Sequence, residues 1–231
     1  MQPGWCRLCA GVLPLALAWP AGPATAAGPP DAISRTAAAC TVGELAPPSN
    51  SVNLLDLQGF TVYQRLDPAQ CTACPAGSLT PTEVRWQFLY QSTTLCPLTF
   101  EVSVVASDQA SCPAPDTANV ICPPFTFVYA ATDGPPHVAT IPFPGGCCLT
   151  APVFLKVRIV DAGGCGRGTV GFFAHGPCTG PCRSYATFPG APLEDSCTLM
   201  GMSPTIAEDA DCCTATPSLR PSWGGVKLRY R

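Results

Sequence analysis

Short runs in which apolar and polar residues alternate dominate the chain after residue 50. In residues 83–90 every second side chain is apolar, and residues 98–105 and 153–160 alternate in a similar way. Successive side chains of a strand point to opposite faces, so each run has one apolar and one polar face. Such strands are typical of antiparallel sheets that leave one face in water.

Turn-forming Pro, Gly and Asp separate these runs at short intervals, as in a β-sandwich. No long stretch has the apolar period of a helix, which disfavours an α/β fold. The sequence therefore predicts an all-β fold, a disulfide-rich antiparallel β-sandwich of jelly-roll or immunoglobulin-like type with long Cys-rich loops. The predicted strands cover residues 52–57, 60–66, 83–90, 98–107, 125–131, 137–143, 153–161 and 169–174.

The N-terminal residues 1–26 have the pattern of a cleavable signal peptide. Arg7 precedes an apolar run that ends at Trp19, and the small residues 24–26 follow. The apolar run is too short to cross about 30 Å of hydrocarbon, so a transmembrane anchor is the weaker alternative. We expect an exported protein that is secreted or held at the cell surface.

The rest of the chain divides by pattern into three parts. Residues 27–50 lack periodicity and are predicted to be a flexible lead-in that Cys40 ties to the domain. Residues 51–213 are predicted to form one β-sandwich domain, whose last third wraps the sheets as a disulfide-stapled loop system. Residues 214–231 are predicted to be a linker and a basic tail. No later run is apolar enough to predict a transmembrane span.

Composition narrows the classes of partner. Charged residues make up 12% of the chain and the formal net charge is −3, so there is no basic face for nucleic acid.

Sixteen cysteines are present, and two of them, Cys6 and Cys9, lie in the predicted signal peptide. Fourteen remain, an even number that predicts seven disulfides of open connectivity in an oxidising compartment. The disulfide candidates are Cys40, Cys71, Cys74, Cys96, Cys112, Cys122, Cys147, Cys148, Cys165, Cys178, Cys182, Cys197, Cys212 and Cys213.

Three cysteine motifs allow an alternative. The spacing of Cys71 and Cys74 is that of a redox pair or half a zinc site, but nearby prolines make the required helix improbable. Two half-cystines with different partners are the preferred interpretation. The vicinal pairs 147–148 and 212–213 are predicted to be nodes that join two other segments each, because a bond between adjacent residues is strained. A redox or metal-sensing vicinal dithiol is the alternative.

Candidate catalytic and metal-binding groups are few. Any triad would need His137 or His175, which are predicted to be surface or loop histidines, and no nucleophile turn is present. A glycosidase would need a pair of carboxylates, for which Glu83 and Glu101 are the candidates. They are expected to point outward from neighbouring strands, where carboxylates without a catalytic role are common. We predict no catalytic residue.

The sequence predicts no cofactor, with calcium as the alternative. Calcium prefers the carboxylate oxygens that Glu208, Asp209 and Asp211 offer, and residues 194–195 add two more. The stretch lacks the spacing of an EF-hand, so a solvated acidic loop is the preferred interpretation. The alternating aromatics are predicted to be core, with a sugar-stacking platform as the alternative.

The C-terminal tail concentrates positive charge, since four of the twelve Lys and Arg residues lie between Arg220 and the last residue. It is either a terminal edge strand or a sorting or docking element. Its motif consists of Trp223, Gly224, Lys227, Tyr230 and Arg231.

This ending resembles a C-terminal signature of exported proteins encoded by environmental bacterial genomes. The stretches GFTVYQRLDP (59–68), FPGGCCLTAPVFLKV (143–157) and CRSYATFPG through EDADCC (182–213) are also similar to an uncharacterised group of these Cys-rich β-sandwich proteins. The resemblance implies an exported bacterial protein whose tail is a sorting or attachment signal, and it transfers no catalytic residue.

We therefore expect a non-enzymatic binding, adhesive or coat component that acts at the cell surface or outside on an unknown ligand. Its tail would engage sorting machinery. The alternative is a secreted hydrolase of polysaccharide or peptide.

Overall fold

A computed structural model describes residues 39–44, 50–54, 58–74, 77–90, 95–108, 110–130, 137–165, 170–178 and 180–214. All of them belong to one compact unit, Thr36–Arg231. The predicted signal peptide, most of the lead-in and the tail motif lie outside the described residues. The motif residues concerned are Trp223, Gly224, Lys227, Tyr230 and Arg231.

The described residues form thirteen strands, one short α-helix and one 3-10 helix, Pro68–Gln70. The strands are β1 (Cys40–Gly43), β2 (Asn50–Leu54), β3 (Thr61–Leu66), β4 (Leu79–Tyr90), β5 (Leu98–Ser107), β6 (Pro115–Tyr129), β7 (His137–Pro142), β8 (Val153–Asp161), β9 (Val170–His175), β10 (Ser184–Thr187), β11 (Glu194–Asp195), β12 (Ser203–Pro204) and β13 (Ile206–Cys212). The helix α1 is Ser196–Met200.

Two antiparallel sheets contain all of these strands. The first sheet has the order β1-β13-β4-β9-β12, with β2 paired to β9 and β7 paired to β4. The second sheet has the order β11-β10-β3-β8-β5-β6. The prediction of a disulfide-rich antiparallel β-sandwich is confirmed.

The alternating runs supply the core between the sheets. Trp86 of β4 is 1% exposed, and its ring meets Phe100 of β5 edge-on at 5.4 Å between centroids. Phe172 of β9 completes this centre at 6.4 Å from Trp86. Because β4 and β9 belong to the first sheet and β5 to the second, these rings join the two layers. The interpretation of the alternating aromatics as core is confirmed for Trp86 and Tyr90, whereas Phe127 and Tyr129 are only partly buried against this core and Tyr63 is buried in a separate cluster.

The last third of the domain differs from the prediction. Residues 176–214 contain four strands and α1 rather than only a wrapping loop system, and β13 pairs with β4 from Ile206 to Cys212. The lead-in also contributes β1, which pairs with β13. The sequences of β13 and β1 alternate little between apolar and polar residues, so neither is predicted as a strand. Their order comes from ladder hydrogen bonds, which join β13 to β4 and β1 to β13.

All fourteen cysteines outside residues 1–38 are paired. Cys71 and Cys74 bond different partners, as predicted, and each vicinal pair joins two other segments. Through these motifs four bonds follow one another as a chain of crosslinks from β1 to β6. The seven disulfides are Cys40–Cys71, Cys74–Cys212, Cys148–Cys213, Cys122–Cys147, Cys96–Cys165, Cys112–Cys182 and Cys178–Cys197.

Candidate functional site

A polar cavity of about 200 Å³ lies where β1 and β12 of the first sheet approach β3 of the second. The described residues that line it include no aromatic and no aliphatic side chain. They bring two arginines, two carboxylates, two glutamine amides and one hydroxyl to a single space. The lining residues are Gly43, Glu44, Gln64, Arg65, Asp67, Gln70, Arg183 and Ser203.

Gln64 is one of two buried polar residues that line this cavity, the other being Ser203. Along β3, Val62, Gln64 and Leu66 share the face that points between the sheets, and Val62 and Leu66 belong to the core. Gln64 is only 5% exposed, and its Oε1 has no hydrogen-bond partner among the described residues. A buried carbonyl oxygen left without a donor costs about 1–3 kcal/mol. The wall of the cavity therefore holds an unsatisfied acceptor, which a ligand donor would reach once the Gln64 amide turns into the cavity.

Two arginines bring positive charge to the lining. The Arg65 backbone N–H donates to the Arg183 carbonyl oxygen at 2.8 Å, which holds the two residues side by side. Arg65 lies in β3, and Arg183 directly precedes β10. Guanidinium groups bind carboxylates through paired hydrogen bonds, so this part of the lining suits an anionic group.

Two carboxylates bring negative charge. Asp67 caps the 3-10 helix by accepting from the Ala69 N–H at 3.1 Å, and this helix ends at Gln70, which also lines the cavity. Glu44 follows β1, where its backbone N–H donates to the Ile206 carbonyl oxygen at 2.8 Å. The cavity therefore carries both signs of charge on backbone that regular structure holds in place.

Glu208 is a second polar group inside the sandwich. On β13 it lies between the core residues Ile206 and Ala210, opposite Val42 of β1 and Val84 of β4. It is 0% exposed, and both carboxylate oxygens lack a hydrogen-bond partner among the described residues. Burial, and then the charge of Asp209, raise the pKa of Glu208 well above its ordinary value. The neutral acid is therefore favoured at this position.

The prediction of a solvated acidic loop is wrong, because the acidic residues belong to β13. Glu208 points inward, whereas Asp209 points outward and accepts from the Arg85 guanidinium at 2.6 Å. Asp211 accepts from the Ala39 N–H at 3.4 Å. Strand alternation thus separates Glu208 from the other two calcium candidates.

The remaining carboxylate candidates are also dispersed. Asp195 caps α1, where its Oδ1 accepts from two helical N–H groups, and its Oδ2 accepts from the Cys182 N–H at 2.6 Å. Glu83 lies on β4 of the first sheet, and Glu101 lies on β5 of the second, where it pairs with Lys156 at 2.9 Å. The expected placement of the glutamate pair on neighbouring strands is wrong, because the strands belong to different sheets.

The two histidines lie on opposite sides of β4. His137, the first residue of β7, is 3% exposed and packs against Phe88 at 5.8 Å and Tyr90 at 4.9 Å between ring centroids. The prediction of a surface or loop position is therefore wrong for His137. His175 ends β9, is half-buried and pairs with Ser203 of the cavity lining.

The fold and cavity define a class of protein, a disulfide-crosslinked β-sandwich with a charged pocket between its sheets. Comparisons with protein-family models, with curated proteins and with solved structures each returned no match. The described part of the chain has no helix long and apolar enough to cross a bilayer.

Proposed function

We propose that this protein is an exported binding protein that works at the cell surface or outside the cell, and that it holds a small zwitterionic ligand in the polar cavity. The observation that carries the proposal is the Gln64 side chain, which is 5% exposed and whose Oε1 lacks a partner among the described residues. The amide would turn into the cavity when ligand enters, and a ligand ammonium or amide group would donate to this oxygen. Binding would thereby remove the cost of a buried unsatisfied acceptor.

The location outside the cytoplasm is supported by the cysteines. Seven disulfides persist in oxidising compartments such as the periplasm or the extracellular space and are rare in the cytosol. The signal peptide predicted over residues 1–26 agrees with that location. A bacterial source is part of the same proposal and rests on the resemblance of the tail.

The ligand class follows from the size and charge of the lining. A cavity of about 200 Å³ is smaller than the pockets of about 300–1,000 Å³ that hold drug-sized molecules. A purely anionic ligand would be repelled by the carboxylates Glu44 and Asp67, and a purely cationic one would be repelled by Arg65 and Arg183. A free amino acid, or a dipeptide with its two oppositely charged ends, carries both charges and can pair with both the arginines and the carboxylates of the lining. The described residues of the lining offer no ring for sugar stacking.

The experiment is a thermal-shift screen of the folded chain with free amino acids, dipeptides and neutral monosaccharides. A zwitterion at 100 times its dissociation constant should stabilise the protein by about 2.7 kcal/mol, which raises Tm measurably. Gln64→Leu should abolish that shift. Gln58→Leu is the matched control, because Gln58 is exposed and lies outside the cavity. An equal shift by the sugars, or an undiminished shift in Gln64→Leu, contradicts the proposal.

We further propose that residues 222–231 sort or attach the exported protein. The concentration of Lys and Arg beyond residue 219 supports this, since the chain as a whole carries a net charge of −3. Deletion of residues 222–231 should move the protein from the surface-bound to the released fraction without changing its Tm. An unchanged partition, or a lowered Tm, would instead favour an edge strand that packs on the sandwich.

A further inference from the structure

The turn that contains Cys71 and Cys74 brings two disulfides into contact. Cys71 bonds Cys40 and Cys74 bonds Cys212, yet Cys71 Sγ lies 3.1 Å from Cys74 Sγ. The Cys74 N–H donates to the Cys71 carbonyl oxygen at 3.0 Å, so a hydrogen-bonded turn sets this approach. Two sulfur atoms of different disulfides are therefore within reach of each other.

Three cysteine sulfur atoms form a tight cluster at this turn. The sulfur atoms of Cys40, Cys71 and Cys74 all lie within 4.8 Å of one another. The central pair is inaccessible, since Cys71 is 1% and Cys74 6% exposed. Cys212 is exposed at the end of β13, and Cys40 is half-buried. A thiol in solution can therefore approach this cluster at Cys212.

We propose that these four cysteines form a thiol-exchange relay. The thiolate of an external low-molecular-weight thiol attacks Cys212 Sγ, forms a mixed disulfide there and expels Cys74 as a thiolate. Cys74 Sγ then attacks Cys71 Sγ, forms the Cys71–Cys74 bond and expels Cys40 as a thiolate. This thiolate takes up the proton that the external thiol released. Two disulfides exist before and after the sequence, so no oxidant or reductant is consumed.

The relay would release two strands from the turn. Cys40 belongs to β1 and Cys212 to β13, whereas the new bond lies wholly within the turn. β1 is the edge strand of its sheet, and without the disulfide it would depend on its ladder to β13, the buried Val42 side chain and the hydrogen bonds of Thr41. Gly43 and Glu44 at the end of β1 line the polar cavity, so exchange would loosen one cavity wall. The chemistry itself rests on the sulfur positions and not on the proposed binding function.

The experiment begins with the folded, oxidised full chain and reduced glutathione. The reaction is quenched with N-ethylmaleimide, and the protein is digested without reduction and mapped by mass spectrometry. Three marks should appear together: glutathione on Cys212, maleimide on Cys40, and a peptide closed by a Cys71–Cys74 bond. Maleimide on Cys74 with the Cys40–Cys71 bond intact would overturn the relay, because exchange would then stop at the first step.

A double variant tests the order of the steps. Cys74→Ser with Cys212→Ser removes the entry point, so maleimide labelling of Cys40 should fall to the background seen at Cys165. Persistent labelling of Cys40 would show direct attack on its disulfide and refute the relay.

Matched controls separate this outcome from a folding defect and from the binding proposal. Cys178→Ser with Cys197→Ser removes a disulfide elsewhere and should leave all three marks unchanged. If either double variant does not fold, the map of the unaltered chain still decides between the two products. Gln64→Leu should eliminate ligand stabilisation and leave the marks in place, so the two proposals fail independently.

Discussion

Glu208→Gln tests whether Glu208 is buried as a neutral acid inside the sandwich. Glu208 is 0% exposed, and its oxygens lack partners among the described residues. Glutamine keeps the shape of the side chain and removes its charge. We therefore expect the variant to be more stable than the natural chain at neutral and alkaline pH.

The sign of the pH dependence follows from the direction of the pKa shift. Burial raises the pKa of Glu208 in the folded protein well above the value of 4.5 expected for an unperturbed chain. Below the ordinary value of 4.5, Glu208 is protonated in both the folded and the unfolded protein, and its contribution to the free energy of unfolding is at its maximum. As the pH rises toward the folded pKa, the unfolded chain loses the proton first. The free energy of unfolding then falls by about 1.4 kcal/mol per pH unit until the folded pKa is passed.

The assay is guanidinium-induced unfolding of the oxidised protein at about pH 4, 6 and 8, where proton linkage predicts the difference. The stability difference between Glu208→Gln and the natural chain should be smallest near pH 4 and should grow as the pH rises. Glu101→Gln is the control, because Glu101 is partly exposed and pairs with Lys156; its loss should cost at most about 1 kcal/mol. A stability difference that does not grow with pH would refute a buried, neutral Glu208.

Three further predictions concern stability. Gly163→Ala should cost about 3 kcal/mol in denaturant unfolding, because Gly163 has a φ of +57° and a Cβ there would overlap the Pro97 carbonyl oxygen; wild-type stability of this variant would contradict the close approach. Cys122→Ala with Cys147→Ala should lower the free energy of unfolding by about 3.5 kcal/mol on loop-closure entropy for a separation of 25 residues, measured by equilibrium unfolding. Asp195→Ala should cost about 2 kcal/mol, since the carboxylate accepts from three backbone N–H groups; Asp195→Asn should recover part of it, and a neutral alanine variant would argue against the cap.

The parts of the fold that the sequence predicts well are strands with a strict period of two. Residues 83–90, 98–107 and 153–161 lie inside or coincide with β4, β5 and β8, because one face of each strand lies in the core. β6 begins ten residues before its predicted start, at Pro115 rather than 125. Its prolines indicate a turn, but β6 is the edge strand of its sheet, where a missing N–H is tolerated.

The candidate site could not be predicted by the same logic. Gln64 and Glu208 occupy inward positions of β3 and β13, where the alternating pattern calls for apolar residues. The flanking apolar residues still predict β3 over residues 60–66, but they do not show that Gln64 faces a cavity. In β13 acidic residues interrupt the apolar ones, and the stretch is predicted to be a loop. Only the ladder partners of these strands show that both polar groups face the interior. Disulfide connectivity likewise depends on which strand ends meet, a property of topology and not of local pattern.

The polar cavity and the disulfide relay share a structural element, and this links the two proposals. Cys40 anchors β1, whose end lines the cavity, and Cys71 directly follows the 3-10 helix that ends at Gln70, which also lines the cavity. If exchange loosens these walls and weakens ligand binding, linkage requires that bound ligand disfavour exchange by the same free energy. A zwitterion that stabilises the natural chain should therefore reduce the equilibrium yield of the Cys71–Cys74 product, and the reduction should vanish in Gln64→Leu. An undiminished yield at saturating ligand would separate the two sites, leaving the crosslinks a purely structural role at the cavity.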